Sequence, residues 1–274
     1  MKLPKQPFSA KTAFHGKNLL SLYYEFLSRR FPMNAITTVG LTKKYQSLIA
    51  VDRLDLQIQK GELFGLLGVN GAGKTTTLKM LTCLTPPTAG DGTVGGCSIR
   101  TDPIGVKAQI AVSPQETAVA PNLSVRENLA LMGSLHGFPK EKRNRQLQAI
   151  AKEFGLADIL NRKAGKLSGG YQRRLSIAMA LMGQPSILFL DEPTLGLDVI
   201  ARRELWDLIQ KLKGSVTVIL TTHYMDEAAA LCDRIGIMKD GRLLAVGSTR
   251  ELMNRTSATS LEEAFITIIK EQTP

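Results

Sequence analysis

The sequence predicts an α/β protein in which strands and helices alternate around a largely parallel sheet, with a helical segment inserted into it. Three observations carry this prediction. A glycine-rich stretch, Gly68-Val69-Asn70-Gly71-Ala72-Gly73-Lys74-Thr75-Thr76, fits G-x-x-x-x-G-K-[ST] at every fixed position and joins a short apolar run to a helix-forming one. Three further apolar runs of strand length each end in polar residues: Ile110–Ser113 before Gln115, residues 187–190 before Asp191-Glu192, and residues 216–221 before Thr222-His223. Between residues 116 and 166 the pattern turns helical.

In chain order, residues 36–41 and 51–58 are strand-like, the second alternating as Leu54, Leu56, Ile58. Tyr45 lies between them; it can stack on a base, which always offers a π-face, or pack as a turn residue on the sheet. Residues 62–67 suit a buried parallel strand and 75–84 a helix, so the glycine stretch is a strand-to-helix loop. There Gly68, Gly71 and Gly73 let backbone N–H groups curl round phosphates, and the helix N-terminus adds partial positive charge. Asn70 and Thr76 belong to the same contact stretch, Lys74 reaches the β- and γ-phosphates, and Thr75 offers magnesium a hydroxyl.

Pro86-Pro87 and the glycines of 90–96 mark a loop and hairpin, after which Ile110–Ser113 is a strand. Val125–Leu135 and 140–154 read as helices, the second with Leu147, Ile150, Ala151 and Phe154 at helical spacing, forming a small subdomain inside the first. Leu167-Ser168-Gly169-Gly170-Tyr171-Gln172 then opens a helix reaching Met182. Ser168 is expected to cap it, and Gly169 and Gly170 leave its first amides accessible, a second anion site. Strand 187–190 delivers Asp191, suited to magnesium, and Glu192, suited to a general base, at the edge where ligands of open parallel sheets sit. His223 falls at the corresponding end of 216–221. Strands at 235–238 and 243–246 around Asp240-Gly241, and an amphipathic helix opening at Leu261, complete the series.

Composition narrows the classes. The 274 residues, 43% apolar and 22% charged, suit a globular protein with a substantial core. No run approaches the roughly 18 apolar residues of a membrane span, so a membrane role needs a partner. Cys83, Cys97 and Cys232 have neither disulfide-framework nor zinc spacing. Of the net +11, residues 1–32 carry +5, from six basic side chains against Glu25, which leaves an ordinary remainder. That segment reads as a basic extension outside the fold, disordered or upstream of a true start at Met33; a helix at a membrane interface, with Leu19, Leu22, Tyr23, Phe26 and Leu27 on one face, is the competing reading.

With these residues in place, the chain resembles the nucleotide-binding subunit of ATP-binding cassette (ABC) transporters over essentially all of residues 34–270. Tyr45 stands at the adenine-stacking position, 68–75 as Walker A, Gln115 as the Q-loop, 167–170 as the signature, 187–192 as Walker B, Leu197-Asp198 as the D-loop and His223 as the switch histidine. Tyr171 departs from the common signature, which has Gln there. The resemblance implies the ABC ATPase fold: a P-loop NTPase core with a mixed sheet, an N-terminal antiparallel β subdomain and the α-helical insertion, all within a domain of residues 33–270. It implies ATP and Mg2+ as cofactors, catalytic roles for Glu192, His223 and Gln115, and metal contacts from Thr75, Gln115 and Asp191. It also implies a head-to-tail homodimer, or paired cassette, with composite ATP sites in which Ser168, Gly169 and Gly170 of one chain meet the γ-phosphate held by Lys74 of the other, and Asp198 is a further cofactor-binding residue. A separate transmembrane permease is the further implied partner, and this chain is expected to be peripheral at the cytoplasmic face of the cell membrane. The stretch around Arg173-Arg174 and Arg202-Arg203-Glu204-Leu205-Trp206 is similar to the drug and multidrug exporter branch. An uptake-system ATPase and a soluble cassette acting on nucleic acid or ribosomes are the alternatives; no nucleic acid is expected, given one cassette and 5% aromatics.

Overall fold

A computed structural model describes residues 34–271; the basic extension at 1–32 lies outside the described residues. Two sheets form the frame. Strands β1 (Asn34–Tyr45) and β2 (Leu48–Gln59) make an antiparallel hairpin, and β4 (Ala89–Val94) and β5 (Cys97–Ser98) extend it in the order β2-β1-β4-β5. The alternation seen in β2 is real: Leu54, Leu56 and Ile58 are buried and the residues between them are not. The second sheet has six strands in the order β10-β9-β3-β8-β7-β6. Its members are β3 (Leu63–Leu67), β6 (Ile110–Ser113), β7 (Ile187–Asp191), β8 (Thr217–Thr222), β9 (Arg234–Lys239) and β10 (Arg242–Gly247).

The five strands β9, β3, β8, β7 and β6 run parallel, and every residue of β3, β7 and β8 is buried. Burial on both faces explains why these strands read as apolar runs without alternation. Only β10 runs antiparallel, returning from β9 through Asp240 and Gly241, whose φ values of 47° and 77° make the tight turn that such a hairpin favours. The sheet is therefore mixed, as the resemblance implied.

Helices α1 (Lys74–Leu81), α2 (Pro103–Lys107), α3 (Val125–Leu135), α4 (Lys140–Glu153), α5 (Gly169–Leu181), α6 (Val199–Gln210), α7 (Met225–Leu231), α8 (Thr249–Thr256) and α9 (Leu261–Glu271) surround the frame. α1 stops short of the expected Leu84. Cys83 adopts a left-handed φ of 55°, and Leu84 N–H turns back to donate to Lys79 O. The pattern reading passed over α2, α6, α7 and α8. Three of the four carry a local start signal, since Asp102, Asp198 and Ser248 each cap the helix that follows.

α3 and α4 form the expected insertion, but its apolar side chains do not make a core of their own. Leu147, Ile150 and Phe154 join Leu175 and Met182 and, through them, Leu188 and Leu190 of the sheet in one cluster. α5 is the shared wall, buried from Leu175 to Leu181. Asn128 staples the insertion's entry: its Oδ1 accepts from Ala120 N–H at 2.9 Å, and its Nδ2 donates to Ala120 O, Leu123 O and Ser124 O at 3.0 to 3.3 Å. This side chain is fully buried, so removing it strands main-chain groups without water. Asn128→Ala is expected to lower stability by about 2 kcal/mol, read as a reduced urea midpoint at unchanged slope; an unaltered midpoint would show that water replaces the amide.

Candidate functional site

The centre of the site is the loop between β3 and α1, and its glycines are needed for space as well as for conformation. A Cβ on Gly68 would stand 2.5 Å from Met238 O, and one on Gly73 2.5 Å from Ala50 O. Gly71 and Gly73 also hold left-handed φ values of 84° and 101°. Lys74, at the first position of α1, folds back over the loop. Its Nζ donates to Gly68 O at 2.8 Å and Val69 O at 3.2 Å and stands 3.7 Å from Glu192 Oε1. Burial pulls its pKa down, while the nearby charges of Glu192 and Asp191 push the other way.

The carboxylates arrive from the neighbouring strand end. Asp191 accepts from Thr221 Oγ1 at 2.5 Å and from Thr75 Oγ1 at 3.3 Å, so β7, β8 and α1 meet at one oxygen. Glu192 has a left-handed φ of 47°, uncommon for a residue with a Cβ, and is held there by its N–H, which donates to Thr221 O at 3.1 Å and Thr221 Oγ1 at 3.0 Å. This turn brings Glu192 Oε1 to 3.4 Å from His223 Nδ1. The imidazole nitrogen is buried and makes no aligned hydrogen bond at that distance. The His223 ring leans on that of Tyr224, with centroids 4.1 Å apart.

A cavity of about 720 Å³ spans these groups. It is lined by Tyr45, loop residues 70–76, Gln115, Glu192 and His223, which includes Asn70, Gly71, Gly73, Lys74, Thr75 and Thr76. Tyr45 is half-exposed at the end of β1, and apolar Leu48, Ile49 and Ala50 form the wall beside it. A polar, phosphate-sized end with an aromatic and aliphatic wall suits a nucleotide. Among the described residues no group of three or more His, Cys, Asp and Glu could hold a metal ion.

Four expected residues lie elsewhere. Ser168, Gly169 and Gly170 are outside this cavity, Ser168 and Gly169 exposed. Ser168 occupies the N-cap position of α5, but its hydroxyl makes no capping bond, correcting the expectation that it would. The α5 amides are thus left without an internal acceptor. Asp198 instead caps α6, its Oδ1 accepting from Ile200 and Ala201 N–H at 2.9 Å each. The two segments adjoin, since a Cβ on Gly170 would meet Ala201 Cβ at 3.0 Å.

Thr221 and Glu227 were missed in the sequence. Thr221 pins both acidic residues, and buried Glu227 accepts from Thr194 Oγ1 at 2.8 Å and Trp206 Nε1 at 3.2 Å. Its pKa is raised chiefly by burial, with hydrogen bonds opposing. Only the polar position of Thr221 at a strand end hinted at its role.

Fold and site together define a phosphate-loop nucleoside triphosphatase. A profile of the ABC transporter family matches residues 51–195. The chain is 41% identical over 231 residues to the daunorubicin/doxorubicin resistance ATP-binding protein DrrA of Streptomyces peucetius, covering 84% of this chain and 70% of that one. It is 43% identical over 221 residues to ATP-binding cassette sub-family A member 2 of Rattus norvegicus, spanning 80% of this chain but 9% of that protein. A solved ATP-binding subunit of an ABC transporter superposes with a TM-score of 0.77 at 26% identity, covering 86% of this chain and 99% of that chain. A dimeric, post-hydrolysis cassette bound to ADP and Pi gives 0.70 at 27%, covering 78% and 98%. The chain belongs to the ABC transporter family, and it is an ATP-binding cassette that hydrolyses ATP. Among the described residues no helix is long and apolar enough to cross a membrane.

Gly73→Ala combines a left-handed φ with a Cβ against Ala50 O, and is expected to weaken binding of a fluorescent ATP analogue more than about tenfold; unchanged affinity would mean that the loop adapts.

Proposed function

We propose that this cassette powers export of a drug or related hydrophobic compound through a separate transmembrane permease, working as a head-to-tail ATP-bound dimer at the cytoplasmic face of the cell membrane. The likeness to DrrA, named for daunorubicin and doxorubicin resistance, supports the substrate class. One geometric observation carries the dimer. The cavity of each copy ends without the exposed α5 N-terminus at 168–170, whose amides are free to meet an anion held by another copy. The similarity to a solved dimeric cassette bound to ADP and Pi supports pairing.

Within one site, Tyr45 stacks on adenine, and the loop amides of Asn70, Gly71, Gly73 and Thr76 hold the phosphates. Thr75 and Asp191 fit a hard cation, being oxygen donors already 3.3 Å apart at the phosphate end, with Gln115 on the same cavity wall. Held by Thr75 and Asp191, with Gln115 beside them, a magnesium ion would supply neutralisation of phosphate charge. Lys74 exchanges the carbonyls of Gly68 and Val69 for phosphate oxygens, which also frees Glu192 from its contact with the ammonium. Glu192 then accepts a proton from the attacking water, and His223, beside it, holds the γ-phosphate end in register. Loss of that phosphate removes the contacts joining the two copies, which is how hydrolysis reopens the pair.

Glu192→Gln keeps the size and removes the base. Turnover is expected to fall by at least about 100-fold while ATP still binds; phosphate release at the parental rate would sink the base assignment. The same variant, tagged and pulled down with ATP from detergent-solubilised membranes, is expected to bring a multi-span membrane protein with it. Recovery of soluble or nucleic-acid partners alone would overturn the transporter reading.

A further inference from the structure

α5 carries a buried cation that the chemistry above does not use. Arg173 is 5% exposed, and its terminal nitrogens go to main chain: Nη1 donates to Pro114 O at 2.6 Å and Nη2 donates to Gln115 O. Burying a guanidinium is costly, and apart from Ser176 the neighbouring buried positions of this helix, Leu175, Ile177 and Ala178, are apolar. Asp191 and Glu227 favour the cation through space, which offsets part of that cost. Their field accounts for a charge here, but not for its aim at two successive carbonyls of the segment that bears Gln115.

Among the described residues that segment has one other side-chain hydrogen bond to α5, Ser113 Oγ to Ser176 Oγ at 3.0 Å, which fixes the end of β6 rather than the loop beyond it. Gln115 itself is exposed on the cavity wall, so its main chain is what sets where its carboxamide points. α5 begins at Gly169, so Arg173 stands on the first turns of the same helix whose N-terminus is free to take an anion.

We propose that Arg173 is a positioning residue for Gln115: it clamps the Pro114 and Gln115 carbonyls so that the Gln115 side chain addresses the phosphate end of the cavity, and it makes that placement follow any movement of α5. The role rests on the reading of Gln115 as a metal and phosphate contact. A shift of α5 on meeting the partner's nucleotide then reaches the chain's own site through a single side chain.

The test is a double-mutant cycle on the full-length protein with Gln115→Ala, Arg173→Met and both together. Arg173→Met is expected to leave ATP-analogue affinity within about twofold, lower kcat about tenfold, and raise the magnesium concentration giving half-maximal turnover. The double variant is expected to be no slower than the worse single one. Arg173→Lys, which keeps the charge but offers one point donor instead of a fork, should lie between parent and Arg173→Met. If the two losses multiply, or if Arg173→Met leaves kcat and the magnesium requirement at parental values, the clamp is refuted. If Gln115→Ala alone turns over normally, the reading of Gln115 falls first, and any loss in Arg173→Met is then structural. Should Arg173→Met not fold, the cycle is run with Arg173→Lys, and multiplying losses refute the clamp there too.

Discussion

The parallel ladder joining β3, β8 and β7 is the constraint on which the rest of the site depends. Leu67 pairs with Thr222, Leu66 with Thr221, and Thr221 in turn with Asp191. In this register the phosphate loop, the two carboxylates and His223 all leave the sheet at one edge. One hydroxyl then does the fine placement: Thr221 Oγ1 donates to Asp191 and accepts from the Glu192 N–H. A slip of one residue would turn Thr221 to the other face and separate the acidic pair from the loop.

Strain is concentrated at the same edge. The left-handed backbone at Gly71 and Gly73 is free of Cβ penalty, but that at Glu192 is not, and it persists because two acceptors on Thr221 hold the N–H. The turn gives Glu192 a position facing both Lys74 and His223. Lys74 holds loop carbonyls and stands 3.7 Å from Glu192, so one ammonium ties the loop to the carboxylate.

The shared core decides how such events travel. Because the insertion packs on α5, and α5 on β6 and β7, the join between the helical part and the sheet is largely apolar, with the Ser113–Ser176 hydrogen bond inside it. Packed cores move as blocks rather than deforming continuously. Polar links at the ends of the block, Asn128 at the insertion's entry and Arg173 against the Gln115 loop, determine what is carried with it. Glu227 plays a comparable part on the opposite flank, tying Thr194 to Trp206.

The local order was legible in the sequence by itself. The strand, loop and helix around Lys74, the limits of α3, the strand ends that bear Asp191 and His223, and the turn at Asp240 follow from runs, periodicities and turn residues within a few positions of each other. These signals are local because steric and capping forces act over one or two turns. The family motifs added Tyr45 and Gln115, which line the same cavity as the loop. Tertiary structure alone decided that the insertion lacks a separate core, that Arg173 reaches a loop 58 residues earlier, and that Glu227 ties Thr194 to Trp206. None of these leaves a periodic trace, since each depends on which distant carbonyl, amide or apolar face the folded chain presents to a given side chain, and a hydrogen bond across such a separation exists only after the sheet has set its register.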